Sequence, residues 1–378
     1  MATGETISAE RRQIAIGIVA DPGVPSELAE RLAQEMPDEL RARVAEDVDW
    51  SVRTSSEELP LSDDGTIDIV EKAAEKGRSE HCDLLICLTD LPRVAPAGAV
   101  VADADTDSGA ALASVPAIGW IRLLPYARRV VVHLVGLLAR ETLGLKGSRE
   151  DGYHAGTWGV FGVRIRQVPS RESTIDANLV LPGLPGRIRL LFGMVRDNRP
   201  WWLVPGLSRA VAAASGTAAF GVFFPSIWSL AASLTATRLT AVNLFAVSAM
   251  VGWLIVHNGL WERPGGNTDV HKTRVHNAAM LLTVIIGVIC TYALLLAVTA
   301  LGSAIVISPE YLSGQLAHHA GPLDYLALSW LASSMGTIAG ALGSSLETES
   351  AVRRAAFSKR ERERRARRRR EQRETRQV

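Results

Sequence analysis

Apolar positions change their pattern once along the chain. As far as about residue 145 they form short runs, and from Ala210 onward they form stretches too long for an ordinary soluble core. Ile14–Ala20 reads IAIGIVA, a β-branched run of the kind that fills a parallel strand buried on both faces. Asp21-Pro22-Gly23 ends it. Ser26 and Glu27 then open an amphipathic helix predicted to reach about Arg43, with Pro37 expected to kink or divide it. Trp50–Thr54 and Asp83–Leu88 (DLLICL) read as further strands and Ile67–Arg78 as a second helix. Val100–Ala102 and Ala111–Val115 read as short strands either side of an acidic turn, and Pro125–Leu143 as a longer helix with its proline in the first turn. Strands alternating with helices through short connections predict an α/β layer fold with a mainly parallel sheet over residues 1–145.

Lys146–Gly156 is rich in Gly, Ser and charge and reads as a linker, and Thr157–Val168 as one more strand. Leu184–Asn198 sets Ile188, Leu191, Phe192 and Val195 on one helical face and arginines on another. That pattern suits either a helix lying on a membrane surface or one packed on the preceding domain; Trp201 and Trp202 close by favour the membrane. Ala210–Thr237, Leu239–Trp261, Asn277–Ser308 and Tyr325–Leu346 then follow without one Asp, Glu, Lys or Arg. About 20 apolar residues suffice for a helix to cross a hydrocarbon core of about 30 Å. Lipid offers the backbone no hydrogen-bond partner, so each stretch is expected to be helical. The third is longer than a crossing requires, and its end is expected to emerge near residue 304. The reading is an α/β domain, a four-helix transmembrane bundle within 201–350, and a basic tail over 351–378.

Charge orients the bundle. The overall +1 hides an acidic first part, since residues 1–186 hold 29 acidic and 19 basic side chains, a net of −10. Arg187, Arg189, Arg196, Arg199 and Arg209 precede the first stretch, and only Arg238 separates the first from the second. Arg263, Lys272 and Arg274 separate the second from the third, no Lys or Arg separates the third from the fourth, and 13 basic residues follow from Val352 onward. The alternation matches the positive-inside rule for an inner (cell) membrane protein with both ends in the cytoplasm. No apolar signal segment opens the chain, and Cys82 and Cys87 bracket one strand in a way that disfavours a disulfide; both agree with a reducing compartment.

Candidate chemistry is sparse. Asp21 follows the first strand and Asp90 the third (LTDLP). With strand order 2-1-3 they would meet at the carboxyl edge, where open α/β sheets bind ligands, and could share a divalent cation. The plainer reading makes both of them turn residues. Asp103, Asp105 and Asp107 imitate the start of a calcium loop, but Ser108 and Ser114 stand where that loop needs Gly and a bidentate Glu, so the run reads as a solvated acidic hairpin. No phosphate-binding glycine loop follows a strand and no G-x-S-x-G is present, so no cofactor is implied. The apolar stretches hold no ionisable side chain at their centres, where pumps place them, only hydroxyls and amides such as Asn243, Thr283, Thr291, Ser329 and Ser333. Pro225 is a hinge candidate, and Gly336, Gly340 and Gly343 permit close helix contact within the bundle or between copies. The arginines of Ala355–Gln377 alternate with Glu361, Glu363, Glu371 and Glu374 and suit anionic lipid headgroups. Nucleic acid fits the tail less well, because stacking aromatics are lacking.

The order LTD (Leu88–Asp90), VVADAD (Val100–Asp105), ALASVPAIG (Ala111–Gly119) and then a helix with His133 resembles the metzincin-type archaeal protease family over roughly Ile14–Leu143. It is more similar still to multi-pass membrane proteins of actinobacteria that carry such a head. The resemblance to the proteases implies a helix bearing H-E-x-x-H, two zinc ligands and a glutamate base. Here the segment reads His133-Leu134-Val135-Gly136-Leu137, so the base and the second ligand are leucines and zinc hydrolysis is not expected. His133 shares its helical face with Arg129, Gly136 and Arg140 and reads as a solvent-facing or packed histidine. The leading expectation is a non-catalytic membrane scaffold or regulator whose head binds a protein or small ligand, with a homo-oligomer compatible. A transporter or exporter component for an uncharged or lipidic substrate is the second reading, and a metal-dependent head using Asp21 and Asp90 the third.

Overall fold

A computed structural model describes residues 12–59, 82–95, 97–145, 159–160, 163–168, 177–262, 270–316 and 318–346. They form two compact units that divide between Asp197 and Asn198. The expected helix at 67–78, the linker at 146–156 and the basic tail lie outside the described residues.

The first unit is an eight-stranded sheet with helices. In chain order its elements are β1 (Arg12–Ala20), α1 (Val24–Arg43), β2 (Val48–Ser56), β3 (Leu84–Thr89), β4 (Val94–Ala95), β5 (Gly98–Asp105) and β6 (Ala110–Ser114). The turn α2 (Val115–Ile118), the helix α3 (Leu123–Glu141), the short strands β7 (Gly159–Val160), β8 (Val163–Arg164) and β9 (Arg166–Val168), then β10 (Ala177–Pro182) and α4 (Gly183–Asn198) follow. The spatial order is β2-β1-β3-β6-β5-β10-β9, with β4 on β5, while β7 and β8 pair separately. Strands β2, β1, β3 and β6 run parallel, whereas β5, β10, β9 and β4 join antiparallel. The sheet is therefore mixed, not mainly parallel. The cause is local: β5 returns into β6 through the tight turn Thr106–Gly109, with Gly109 at φ +67, and so short a connection can only make an antiparallel pair.

Helix α1 buries Leu28, Leu32, Met36 and Leu40, one residue per turn, and packs beside α3 over one sheet face. It stays continuous through Pro37. Arg128 of α3 reaches Glu35 and Glu39 of α1, each at 3.1 Å. Val19, Leu85, Cys87, Ala110 and Leu112 fill the opposite face together with Leu59 and Leu91.

The second unit is helical: α5 (Leu203–Gly206), α6 (Ser208–Phe223), α7 (Pro225–Ser233), α8 (Ala236–His257), α9 (Val270–Val306), α10 (Pro309–Leu316) and α11 (Pro322–Gly343). Three of these helices are long and apolar enough to cross a membrane, or four if α6 and α7 together make one span, so the chain is a multi-pass membrane protein. The first apolar stretch is thus not one straight helix. It breaks at Phe224 and bends by 86°. Pro225 explains the break, since the residue before a proline is driven out of helical geometry while a proline at a helix start loses no hydrogen bond. Trp228 Nε1 donates to Gly221 O at 3.1 Å across the bend.

Two apolar clusters show how the helices run. Ala210, Met250, Leu254, Ile255, Met280, Val284 and Ala341 meet at one end, and Val222, Trp228, Leu239, Ile307, Leu312 and Leu328 at the other. Each of α6, α8, α9 and α11 therefore starts in one cluster and finishes in the other, and successive helices are antiparallel. Helix α11 is the central one: 61% of its most apolar window is buried, against 28% for α8 and 33% for α9. The remainder of α8 and α9 turns large apolar side chains such as Leu244, Phe245, Ile289 and Ile305 outward.

Candidate functional site

The carboxyl edge of the parallel strands is where an α/β sheet presents ligand-binding groups, and here it holds Asp21, Thr89 and Ser114. The strand order 2-1-3 on which the pairing of Asp21 with Asp90 depended is present. Its register, however, pairs Ala20 with Leu88 and so places Thr89, not Asp90, opposite Asp21. Asp21 is fully buried. Its Oδ2 accepts from Thr89 Oγ1 at 2.6 Å and its Oδ1 from the Leu59 amide at 3.0 Å. Thr89 Oγ1 in turn accepts from the Leu91 amide at 3.1 Å, and Ser114 Oγ donates to Leu91 O at 2.7 Å. Asp21 is thus the hub of a network that fastens the chain after β2 and the loop after β3 to the end of β1. Asp90 lies one residue past β3, half-buried. Among the described residues, no three His, Cys, Asp or Glu side chains gather as metal ligands.

Asp103 sits in the sheet interior, where Arg93 beside β4 forms an ion pair with it. Asp105 caps the β5–β6 turn, accepting from the Asp107 amide at 3.3 Å and from Ser108 Oγ. The acidic run is therefore a strand and a capped hairpin, the geometry of an Asx-turn instead of a calcium loop. His133 is buried on α3, and burial alone lowers its pKa from 6.5 to about 4. The neutral ring is the folded form, so its contribution to stability is complete above pH 6.5 and lost as pH falls from there toward about 4. Acidification to pH 5.5 is expected to cost about 1 kcal/mol of head stability through this residue, and His133→Leu to flatten that slope. Thermal unfolding of the full chain in detergent across this pH range checks it. An unchanged slope would show that another group governs acid sensitivity.

Helix α4 is packed on the head. Gly186 lies against Leu181 O and Gly193 against Pro116 O, so closely that a Cβ at either would fall within 2.3 Å of a carbonyl oxygen. Arg189 is buried, donates from Nε to Ile118 O at 2.6 Å, and stacks its guanidinium 5.0 Å from the Tyr126 ring. Burial lowers its pKa to about 10, which leaves it charged at neutral pH. Arg196 Nη1 donates to Gly119 O at 2.7 Å. The two arginines thus hold the loop after β6. Composition gave no cue to Arg189 because it lay on the helix's polar face; the two glycines seven positions apart were the readable sign of a close-packed face.

In the helical unit, Tyr292 of α9 donates to Trp330 O of α11 at 3.4 Å and lies 3.3 Å from Ser334 Oγ, with Asn243 of α8 beside it. Ser303 and Ser329 approach to 3.2 Å. Thr283, Thr291 and Thr299 donate back to Ala279 O, Gly287 O and Leu295 O of their own helix. Sequence reasoning passed over Tyr292, which joins α8, α9 and α11 within the helical unit. Gly336, Gly340 and Gly343 all face α6: Cβ atoms there would lie 2.5 Å from Ala214 O, 3.1 Å from Ala210 O and 2.6 Å from Ala213 Cβ. Pro225 begins α7, beyond the 86° break. Comparison with known proteins found no matching family model, no matching curated protein and no matching solved structure.

Proposed function

We propose that this chain is a membrane-embedded scaffold: a four-crossing bundle that fixes a non-catalytic α/β head at the cytoplasmic face, where the head binds a protein or a small ligand. The observation that carries the reading is the bundle's polarity. Its outward positions are large and apolar, its centre has hydroxyls bonded to backbone, and its four main helices alternate in direction, as a chain with both ends on one side of a membrane would need. Asp21, turned inward onto two internal donors, supports a head that recognises over one that reacts, because its carboxylate serves to hold the loops of the carboxyl edge. The tail's 13 basic residues would rest on anionic headgroups at the same face.

Cysteines introduced singly at Asp49, Thr235 and His319 test the orientation with a membrane-impermeant thiol reagent on intact cells. Thr235 and His319 lie in the connections at the α7 end of the bundle and should label; Asp49, in the head, should label only after lysis. Labelling of Asp49 from outside reverses the topology and removes the proposal.

The second reading, a transporter component for an uncharged or lipidic substrate, draws on the bend at Phe224 and on the Asn243–Tyr292–Ser334 cluster. Pro225→Ala with Tyr292→Phe separates the two. Transport requires both features and would be lost, whereas a scaffold keeps its partners. The metal-dependent reading predicts metal in the purified protein that Asp21→Asn and Asp90→Asn remove.

A further inference from the structure

One face of the head is unlike the rest of it. The loop after α2 carries Trp120 at 51% and Ile121 at 43% exposure, and α4 carries Leu184 at 68% and Ile188 at 44%. Leu184, Ile188 and Phe192 are spaced four apart and so form one stripe along α4. Phe192 stacks on Trp120 with ring centroids 5.2 Å apart, while Arg189 and Arg196 hold the loop against the helix through Ile118 O and Gly119 O. Loop and stripe therefore make one apolar surface. Water is a poor solvent for so many large apolar side chains side by side, and such a patch marks a contact surface.

Charge says what covers it. The elements that build this face, Val115–Glu141 and Gly183–Asn198, hold seven arginines against Glu141 and Asp197 alone, with Arg128 turned to Glu35 and Glu39 of α1 and Arg196 paired with Asp197, whereas residues 1–186 as a whole carry a net of −10. Arg122, exposed and held at φ 52, directly follows Ile121, and Arg187 directly precedes Ile188. A second copy of the same face would bring arginine against arginine. A bilayer with anionic headgroups matches both features at once, because Trp and Ile can enter the interfacial region while arginine meets phosphate. Continuity points the same way. The exposed pair Trp201 and Trp202 follows α4 directly in the chain, just ahead of the first apolar helix.

We propose that the head docks on the membrane through Trp120, Ile121, Leu184, Ile188 and Phe192, with Arg122 and Arg187 on anionic headgroups. This deepens the scaffold reading, since it fixes which surface of the head is turned to lipid, and it rests on the bundle being membrane-embedded.

The test uses the full chain reconstituted in phosphatidylcholine vesicles with and without phosphatidylglycerol. A benzophenone amino acid replaces Ile121, Ile188, Asp49 or Ile289 in turn, and lipid adducts are read by mass spectrometry after illumination. Adducts at Ile121 and Ile188 are expected at several times the yield at Asp49, and should fall severalfold without phosphatidylglycerol. Ile289, on the outward face of α9, reports on the membrane reading separately. If it gives lipid adducts while Ile121 and Ile188 do no better than Asp49, the docking proposal is wrong and the bundle stands. A cross-linked dimer through Ile121, or a yield indifferent to phosphatidylglycerol, overturns the proposal as well. Failure at Ile289 itself would remove the membrane reading on which everything here rests.

Discussion

Asp21→Ala is expected to destabilise the head by on the order of 4 kcal/mol, the larger of the two biggest effects foreseen for single substitutions. The carboxylate is fully buried and accepts from the Leu59 amide and the Thr89 hydroxyl. Alanine leaves both donors buried without an acceptor, and each such orphan costs about 1–3 kcal/mol. Thr89 is also the acceptor for the Leu91 amide, so the loop after β3 loosens with the end of β2. Asp21→Asn should be milder, because its one carbonyl oxygen still serves one donor while its amide must turn toward the other. Chemical denaturation of the full chain in detergent, with trypsin cleavage of the head as a local readout, measures the difference. A loss below about 1 kcal/mol for Asp21→Ala would show that the network does not hold the edge together. If purified protein contains a metal that either variant loses without loss of stability, Asp21 is a ligand and the reading of the head as non-catalytic fails.

Gly336→Leu should disrupt the bundle. A Cβ at Gly336 would lie 2.5 Å from Ala214 O, a backbone atom of α6 that cannot swing aside, and 3.2 Å from both Ala218 Cβ and Leu295 Cδ2. Four added carbons must push α6 away from α11, at or above the upper end of the ~1–3 kcal/mol that overpacking usually costs. Lipid gives no hydrophobic drive to bring the helices back, since association there depends on close packing itself. Gly252→Leu on α8 is the matched control, because no heavy atom lies within 4 Å of its Cβ position. Size-exclusion profiles and thermal unfolding in detergent should show aggregation or a large stability loss for Gly336→Leu and neither for Gly252→Leu. Equal behaviour would mean that close packing at the glycine stripe does not hold α6 to α11.

Much of this fold was readable because the signals are local. A strand buried on both faces shows itself in an unbroken run such as Ile14–Ala20, and α1 in Leu28, Leu32, Met36 and Leu40. The apolar helices needed no more than the absence of charge over 20 residues or so. The bend at Phe224 was half visible: Pro225 marked the place, but a proline inside a span can kink or start a helix, and the tertiary structure has it start one, with Trp228 Nε1 donating to Gly221 O across the bend. The mixed sheet was harder, because the turn at Thr106–Gly109 looked acidic and solvated while Asp103 and Asp105 on its entry strand are buried.

The sequence by itself determined that an acidic α/β head precedes a set of lipid-soluble helices, since periodicity and charge depend on neighbours a few residues apart. Tertiary structure alone decided what the polar residues do. Asp21 reaches Thr89 across 68 positions and Arg189 reaches Ile118 across 71. Neither link is encoded in a local pattern, because a buried polar group takes whichever partner the strand register and helix packing bring within hydrogen-bonding distance. The same holds for the aromatic face of the head: Trp120 and Phe192 became one surface only when two arginines closed the loop onto α4.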